Sequence, residues 1–192
     1  MKKLSSLGLA AAAVVFTASA SASTISYTGL SNGQTSVYSS TVDGITVDVT
    51  GTRNGGQANV TTRGAGLGVK GGVDHFQSIG NETMTFTFSS AVDLAGLTFD
   101  NGTWRDFWTG KDIVGYSDSA GNTQTFNTNN NHFSLANAGI TSFTLSAQGN
   151  MTSTFIAGIE FNASPAEVPV PAAAWLFGSA LVGLGSFARR KR

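Results

Sequence analysis

Two tryptophans and a phenylalanine lie close together in one short segment that also carries charge. Trp104, Phe107 and Trp108 surround Asp106, and Asp112 follows a few residues later. Aromatic faces flanked by carboxylates and amides can hold a sugar by stacking and hydrogen bonding. In a small β-domain, tryptophan more often packs in the core or at its rim, and packing is the favoured interpretation here. Trp104 and Trp108 are therefore the candidate sugar-binding residues, with packing as their alternative role.

Two further carboxylates follow a glycine-rich segment. Gly66-Leu67-Gly68-Val69 precedes Asp74, and Glu82 comes shortly afterwards, ahead of the Phe86-Thr87-Phe88 run. Calcium takes hard oxygen ligands from carboxylates and loop carbonyls, so Asp74 and Glu82 form a weak calcium candidate. The chain has no Asp-x-Asp-x-Asp loop, and solvated acids at strand ends are the favoured alternative. No other metal or cofactor is expected.

Catalytic patterns are sparse. His75 and His132 are the only histidines, and the adjacent Asp74 and His75 would point to opposite faces of a strand. A zinc site usually needs three clustered protein ligands, and neither a Gly-x-Ser-x-Gly elbow nor a phosphate loop is present. Paired carboxylates for glycoside hydrolysis stay open as an alternative. Their candidates are Asp100, Asp106, Asp112 and Glu160. The expectation is a protein that is not an enzyme.

Alternating apolar residues predict the strands that would position these groups. Ile45, Val47 and Val49 alternate with polar residues, which is typical of a half-buried strand. The dipeptide Asp43-Gly44 before them favours a type I′ hairpin. The same alternation recurs at Met84, Phe86 and Phe88, at Phe143 and Leu145, and at Phe155, Ala157, Ile159 and Phe161.

These signals predict an all-β domain over residues 23–164. Roughly eight to ten short strands separated by Gly-rich and Asn-rich turns indicate a two-sheet sandwich of jelly-roll type. We expect the first strand, near Ile25, to pair with the last, near Ile159.

Composition restricts the partners. The sequence has no cysteine, 11 Lys+Arg and 11 Asp+Glu. The segments at the two ends hold six of the basic residues and one acidic residue, so residues 23–164 carry 5 basic and 10 acidic side chains, a net charge of −5. An acidic body argues against nucleic acid, which requires clustered Lys and Arg. No disulfide or thiolate metal site can form.

The N-terminus has the pattern of a secretory signal peptide. Lys2 and Lys3 precede an apolar region over residues 7–16, and small residues follow. The predicted signal peptide spans residues 1–22, with cleavage between Ala22 and Ser23 and an alternative site after Ala20.

The C-terminal segment, residues 165–192, has three parts in order. Val168-Pro169-Val170-Pro171 should be extended, because proline disfavours helix in the residue before it. Residues 172–188 are free of charge, and as a helix these 17 residues would be about 25 Å long, near the short limit of a membrane span. A basic end predicted to stop transfer at the membrane consists of Arg189, Arg190, Lys191 and Arg192. A permanent membrane anchor is the competing interpretation.

Residues 168–179 and the basic end resemble the PEP-CTERM sorting signal of Gram-negative bacteria. The shared features are the Pro-x-Pro motif, followed by Ala172-Ala173 and Trp175-Leu176-Phe177-Gly178-Ser179, the apolar helix and the basic terminus. The segment from Gly66 to Glu82 also resembles a pattern that recurs in surface proteins with this signal. The resemblance implies processing by an exosortase, a membrane-embedded cysteine protease. It also implies an inner-membrane intermediate and a destination in the cell envelope or the extracellular matrix.

The sequence therefore predicts an exported protein of the surface or the exopolysaccharide matrix, with a structural or adhesive role. The alternative is a carbohydrate-binding module for the cell's own exopolysaccharide that uses Trp104 and Trp108. A glycan hydrolase ranks third. The expected partners are the exosortase and exopolysaccharide or other cell-surface components.

Overall fold

The computed structural model describes residues 22–71, 74–78, 80–100, 112–128, 132–149 and 152–164. The predicted signal peptide, the Trp104–Trp108 segment and the sorting tail, with Val168, Pro169, Val170, Pro171, Arg189, Arg190, Lys191 and Arg192, lie outside these residues. The described residues form thirteen strands: β1 (Ser23–Ser26), β2 (Gly33–Thr35), β3 (Tyr38–Val42), β4 (Ile45–Arg53), β5 (Gly56–Ala58), β6 (Val60–Arg63), β7 (Gly66–Val69), β8 (Phe76–Gln77), β9 (Thr83–Asp100), β10 (Ile113–Asp118), β11 (Thr123–Asn127), β12 (His132–Gln148) and β13 (Ser153–Ala163).

All described strand pairs are antiparallel and belong to one hydrogen-bonded network. The order of neighbouring strands is β11-β10-β12-β9-β13-β7-β6-β2. Strands β1 and β8 add to β13, and β3, β4 and β5 join the network where β4 pairs with β9. The all-β prediction is confirmed. The prediction of roughly eight to ten short strands is wrong, since the described residues form thirteen strands and β9, β12 and β13 span 18, 17 and 11 residues.

The long strands β9 and β12 each change partners or register along their length. Residues 83–88 of β9 pair with β4, whereas residues 92–100 pair with β13. Strand β12 follows β9 through both parts, with register shifts between Ser134 and Ser142. Such irregularities bend a strand and increase its local twist. The two parts of β9 therefore join the β4 side of the network to the β13 side.

The core includes buried side chains from both parts of β9 and from the strands paired with them. Phe86 stacks on Phe143 with ring centroids 4.6 Å apart and planes 7° from parallel. Phe88 contacts Phe161 of β13 edge to face at 5.3 Å. All four rings are buried, and aromatic pairs of this kind contribute beyond their buried area.

The predicted alternation is confirmed on β4, since Ile45, Val47 and Val49 are buried and Asp48 is exposed. The same holds at residues 84–88 and 143–145. On β13 the prediction is only half right. Its residues 154–159 are buried on both faces, and β13 pairs with four strands, β1, β7, β8 and β9.

The structure has two tight hairpins, of which the one at Asp43-Gly44 was predicted from sequence, and the predicted pairing of the first and last strands. Asp43 and Gly44 have φ of 49° and 77°, and Asn54 and Gly55 have the same values. Positive φ at both central residues is the requirement of a type I′ turn. Ile25 pairs with Ile159, so the expected pairing of first and last strands is confirmed.

Within the ranges given above, no helix is long and apolar enough to span a membrane.

Candidate functional site

Asp74 lies among cations at one end of the fold. Its Oδ2 atom accepts a hydrogen bond from Arg63 Nη2 at 2.7 Å, and Lys70 Nζ is 3.7 Å from Oδ1. The backbone N–H of Gly71 also approaches Oδ1 at 3.4 Å. The Asp74 carboxylate thus links the segment after β7 to Arg63 at the end of β6.

Glu82 is the most deeply buried ionisable group at this end. It has no solvent exposure, its Oε2 accepts a hydrogen bond from the backbone N–H of Gln77 at 2.6 Å, and Arg53 Nη1 is 3.4 Å from Oε1. Burial raises the pKa of Glu82 to about 7, although the Gln77 hydrogen bond and the Arg53 charge oppose the rise. We call Arg53, Arg63, Lys70, Asp74 and Glu82 the charged end.

Arg53 lies against two glycines, one on each side of β8 along the chain. A Cβ atom at Gly71 or at Gly80 would overlap the Arg53 side chain, and both glycines have positive φ. In addition, the Asn54 N–H donates to the Gly80 carbonyl at 2.6 Å. The end of β4 therefore contacts Gly71 and Gly80 through close backbone approach, and Glu82 through charge.

The sequence-based alternative for these acids is wrong: neither is a solvated residue at a strand end. Glu82 is buried and the Asp74 side chain is 13% exposed. Both carboxylates have N–H or cationic partners, which compete for the oxygens that calcium would use. In the part of the chain that the structure describes, no group of three or more His, Asp or Glu residues could hold a metal. Calcium binding stays an untested prediction.

The residues flanking the Trp104–Trp108 segment lie beside the charged end. Asp100, before the segment, pairs with Phe155 on β13. Asp112, after it, is 3% exposed and its Oδ1 accepts a hydrogen bond from the Ser153 N–H at 2.9 Å. Ser153 pairs with Gln77, whose N–H binds Glu82. The segment thus leaves and rejoins the described fold at the start of β13.

Of the other candidate catalytic residues, Glu160 lies away from Asp112. Glu160 pairs with Gly96 on β9 and lies seven residues along β13 from Ser153, the partner of Asp112. At about 3.3 Å per residue this separation is roughly 20 Å, whereas paired glycosidase carboxylates are about 5–10 Å apart. Glu160 and Asp112 therefore do not form such a pair.

The two histidines contact different residues of β13. His75 Nδ1 forms a hydrogen bond with Ser153 Oγ at 2.8 Å, and its ring lies 4.5 Å from Phe155. His132 Nδ1 lies 3.8 Å from Glu160 Oε1 on the outside of β12 and β13. The Asp74-His75 dipeptide is not part of a strand, because Asp74 has a φ of 61°. The expectation of opposite strand faces is therefore wrong there.

A second surface, which was not predicted from sequence, lies on the polar side of neighbouring strands. These strands are β3, β4, residues 83–88 of β9, residues 142–146 of β12, β10 and β11. Directly paired residues point to the same side of an antiparallel sheet, and here they form three rows. The rows are Thr50, Thr85, Thr144, Ser117 and Thr123; Ser39, Asp48, Thr87 and Ser142; and Thr52, Thr83, Ser146, Gly115 and Thr125. We call these residues the hydroxyl face.

Neighbouring groups on the hydroxyl face bind one another. Thr85 and Thr144 share a hydrogen bond of 3.0 Å, and Thr52 and Thr83 share one of 2.7 Å. Ser39 donates to Asp48 at 2.5 Å. The first row spans five strands, which at about 4.8 Å per strand is roughly 20 Å.

The signal for this face is present in the sequence as the polar half of the alternation in TVDVTGT and TMTFTFSS. Reading it as one surface requires the register of the strands, which the alternation alone does not give.

A scan against protein-family models and searches of the curated proteins and of the solved structures found no match to this chain.

Proposed function

We propose that this protein is exported and sorted to the cell envelope or exopolysaccharide matrix, where its β-domain has a structural or adhesive, non-catalytic role. The observation that carries the destination is the three-part tail of residues 168–192, which follows the β-domain and is matched by a signal-peptide pattern over residues 1–22. An exosortase-type protease would process the tail after an inner-membrane intermediate.

The role of the β-domain is supported by how its charges are used. All three cations of the described residues, Arg53, Arg63 and Lys70, pair with carboxylates at the charged end. These ion pairs hold the connections at the charged end in place. The hydroxyl face, by contrast, carries none of these cations. A body with a net negative charge is not suited to nucleic acid, and a polar sheet face is suited to contact with a hydrated matrix.

We also propose that the domain is a two-sheet sandwich of jelly-roll type. The support is that β9 pairs with β4 in its first part and with β13 in its second, while Phe88 of the first part contacts Phe161 of β13. Two sheets that share long strands and face each other across a core would place their rings in this way.

The second candidate is a carbohydrate-binding module that uses Trp104 and Trp108. The observation in its favour is that Asp100 and Asp112 anchor both ends of this segment at the start of β13, beside the charged end. An aromatic segment anchored twice at one place could present a ring to a sugar. Loss of glycan binding in Trp104→Ala or Trp108→Ala with an unchanged melting temperature would favour this role over packing.

Cell fractionation of the host tests the proposal. The full chain is expected in the envelope and matrix fractions, whereas a chain ending at Ser164 should be exported but not retained at the inner membrane. A full chain that stays in the cytoplasm would contradict the proposal. The same distribution for both chains would contradict the role of the tail.

A further inference from the structure

The hydroxyl face presents mainly threonine and serine hydroxyl groups on several neighbouring strands. Thr50, Thr85 and Thr144 are half-buried, and Ser117 and Thr123 at the β10–β11 side are exposed. They are direct neighbours in register. Their hydroxyl groups therefore recur about every 4.8 Å across the sheet and about every 6.7 Å along each strand. Each hydroxyl is both a donor and an acceptor.

The hydroxyl groups are held in place before any partner arrives. Threonine is stiff at χ1 because two heavy atoms branch from Cβ, and the strands beneath rest on the buried rings of Phe86 and Phe143. The Thr85–Thr144 hydrogen bond further limits rotation. Binding to such a surface costs little side-chain entropy, which is the benefit of preorganisation.

Charge determines which partner fits. The hydroxyl face carries one carboxylate, Asp48, which accepts a hydrogen bond from Ser39, and none of the three described cations lies on it. The described residues together have nine carboxylates against those three cations. An anionic polymer would be repelled. A cationic polymer would find on this face one carboxylate, which Ser39 already binds, so the partner that fits is uncharged.

Apolar partners fit no better. Among the described residues, the exposed large hydrophobic side chain is Val37, which is 42% exposed and lies outside the three rows. Protein–protein interfaces need an apolar centre, which this face does not offer. A partner must instead carry many uncharged donors and acceptors, which replace the hydrogen bonds that water makes to these hydroxyl groups.

We propose that the hydroxyl face binds an extended neutral polysaccharide, whose sugar hydroxyls exchange hydrogen bonds with the row from Thr50 through Thr85 to Thr144. Each contact is weak, and the affinity comes from many contacts along one chain. This inference deepens the adhesive role proposed above and rests on it. It uses a different surface from the Trp104–Trp108 segment.

The test compares the protein recovered from its host with a triple variant, Thr50→Val, Thr85→Val and Thr144→Val. Valine keeps the shape and the β-propensity of threonine. Removing both partners of the Thr85–Thr144 bond leaves no unsatisfied group, so the fold should be preserved. The control is Thr24→Val, an exposed strand position on β1 outside the face. If the triple variant melts early, the double variant Thr85→Val and Thr144→Val replaces it.

The probes are dextran, which is neutral, and alginate, which is anionic, and the readouts are dissociation constants and threonine methyl NMR shifts. The native protein and Thr24→Val should bind dextran at least tenfold more tightly than alginate, with shifts at Thr85 and Thr144. The triple variant should bind dextran at least tenfold more weakly. Unchanged binding in the triple variant, equal binding of alginate, or no binding of dextran would overturn the proposal. Concentration-dependent self-association lost only in the triple variant, without glycan binding, would assign the face to a second copy instead.

This outcome is separable from the proposed function. A protein that reaches the matrix but does not bind dextran contradicts the hydroxyl-face proposal alone. A protein that binds dextran but remains in the cytoplasm contradicts the proposed function alone.

Discussion

Arg53 Nη1 lies 3.4 Å from Oε1 of Glu82, a carboxylate without solvent exposure. The pair joins the end of β4 to the loop before β9. A buried ion pair is stabilising only where geometry and additional hydrogen bonds repay desolvation. Here one backbone N–H, that of Gln77, supplies the additional bond. The ionised form of Glu82 is therefore costly, so the stability of the folded protein should depend on pH.

Stability should fall as the pH rises through the pKa of Glu82. The pKa is about 7 in the folded protein against 4.5 for the unperturbed group, so the folded state binds the proton more tightly. The contribution is fully present below pH 4.5 and is lost as the pH rises through about 7. It amounts to at most about 3.5 kcal/mol, at about 1.4 kcal/mol per pKa unit.

Melting temperatures of the native protein and of Glu82→Gln at pH 5, 6, 7 and 8 check this. The variant should lose the decline that the native protein shows over this range. Thr24→Val, an exposed position on β1 that carries no ionisable group, is the control and should keep the decline of the native protein. Equal slopes for Glu82→Gln and the native protein would refute the assignment.

A second prediction concerns Gly66, the first residue of β7. Its φ is 145°, and a Cβ atom there would overlap the backbone carbonyl of Ile156 on β13. Backbone cannot move aside as a flexible side chain can. Gly66→Ala should therefore lower the free energy of unfolding by about 3 kcal/mol or more.

The matched control is Gly64→Ala, two residues earlier, where a Cβ atom would meet open space and the change should stay within about 0.5 kcal/mol. Urea denaturation of both variants measures the difference. Similar stabilities for the two would show that β7 does not approach β13 as closely as described.

Asp118 provides a third prediction, in the turn between β10 and β11. Its Oδ1 accepts hydrogen bonds from the N–H groups of Ala120 and Asn122, and its Oδ2 accepts one from Tyr116. Burial tends to raise the pKa of Asp118, but bonds from Asn122, Tyr116 and Ala120 outweigh it, so the pKa is lowered. The stability it contributes is present above the unfolded pKa and is lost as the pH falls through the folded value.

Asp118→Asn should therefore cost about 2 kcal/mol at pH 7, in the range of hydrogen bonds to a charged group. The cost should shrink as the pH falls toward 3, because the stability that the charge contributes is lost progressively below the unfolded pKa. Chemical denaturation at the two pH values measures it. A cost that is the same at pH 3 and pH 7 would mean that the charge of Asp118 has no part in the turn.

The features predicted successfully from sequence are those fixed by local chemistry. Asp43-Gly44 specifies its turn because both residues tolerate positive φ, and Ile45, Val47 and Val49 show one buried face by alternation. The length of β9 was not predictable in this way. Ser89 and Ser90 resemble the end of a strand, yet the strand continues with a new partner, and the choice of partner depends on tertiary contacts.

The site was less predictable than the fold. Glu82 follows Gly80 and Asn81, a sequence typical of an exposed turn, but its carboxylate is buried because Arg53 arrives from a distant strand. The hydroxyl face likewise depends on register, since Thr85 and Thr144 are 59 residues apart in the chain. Long-range pairing sets both features, and single-strand patterns carry no information about it.

The central claim is that this chain is exported and then processed through its C-terminal tail. The most direct measurement is mass spectrometry of both termini of the protein recovered from host culture or matrix. We predict an N-terminus at Ser23 and a C-terminus near Pro171, without residues 189–192. Recovery of a chain that still ends at Arg192 would contradict processing and favour a permanent anchor, and a retained Met1 would contradict export.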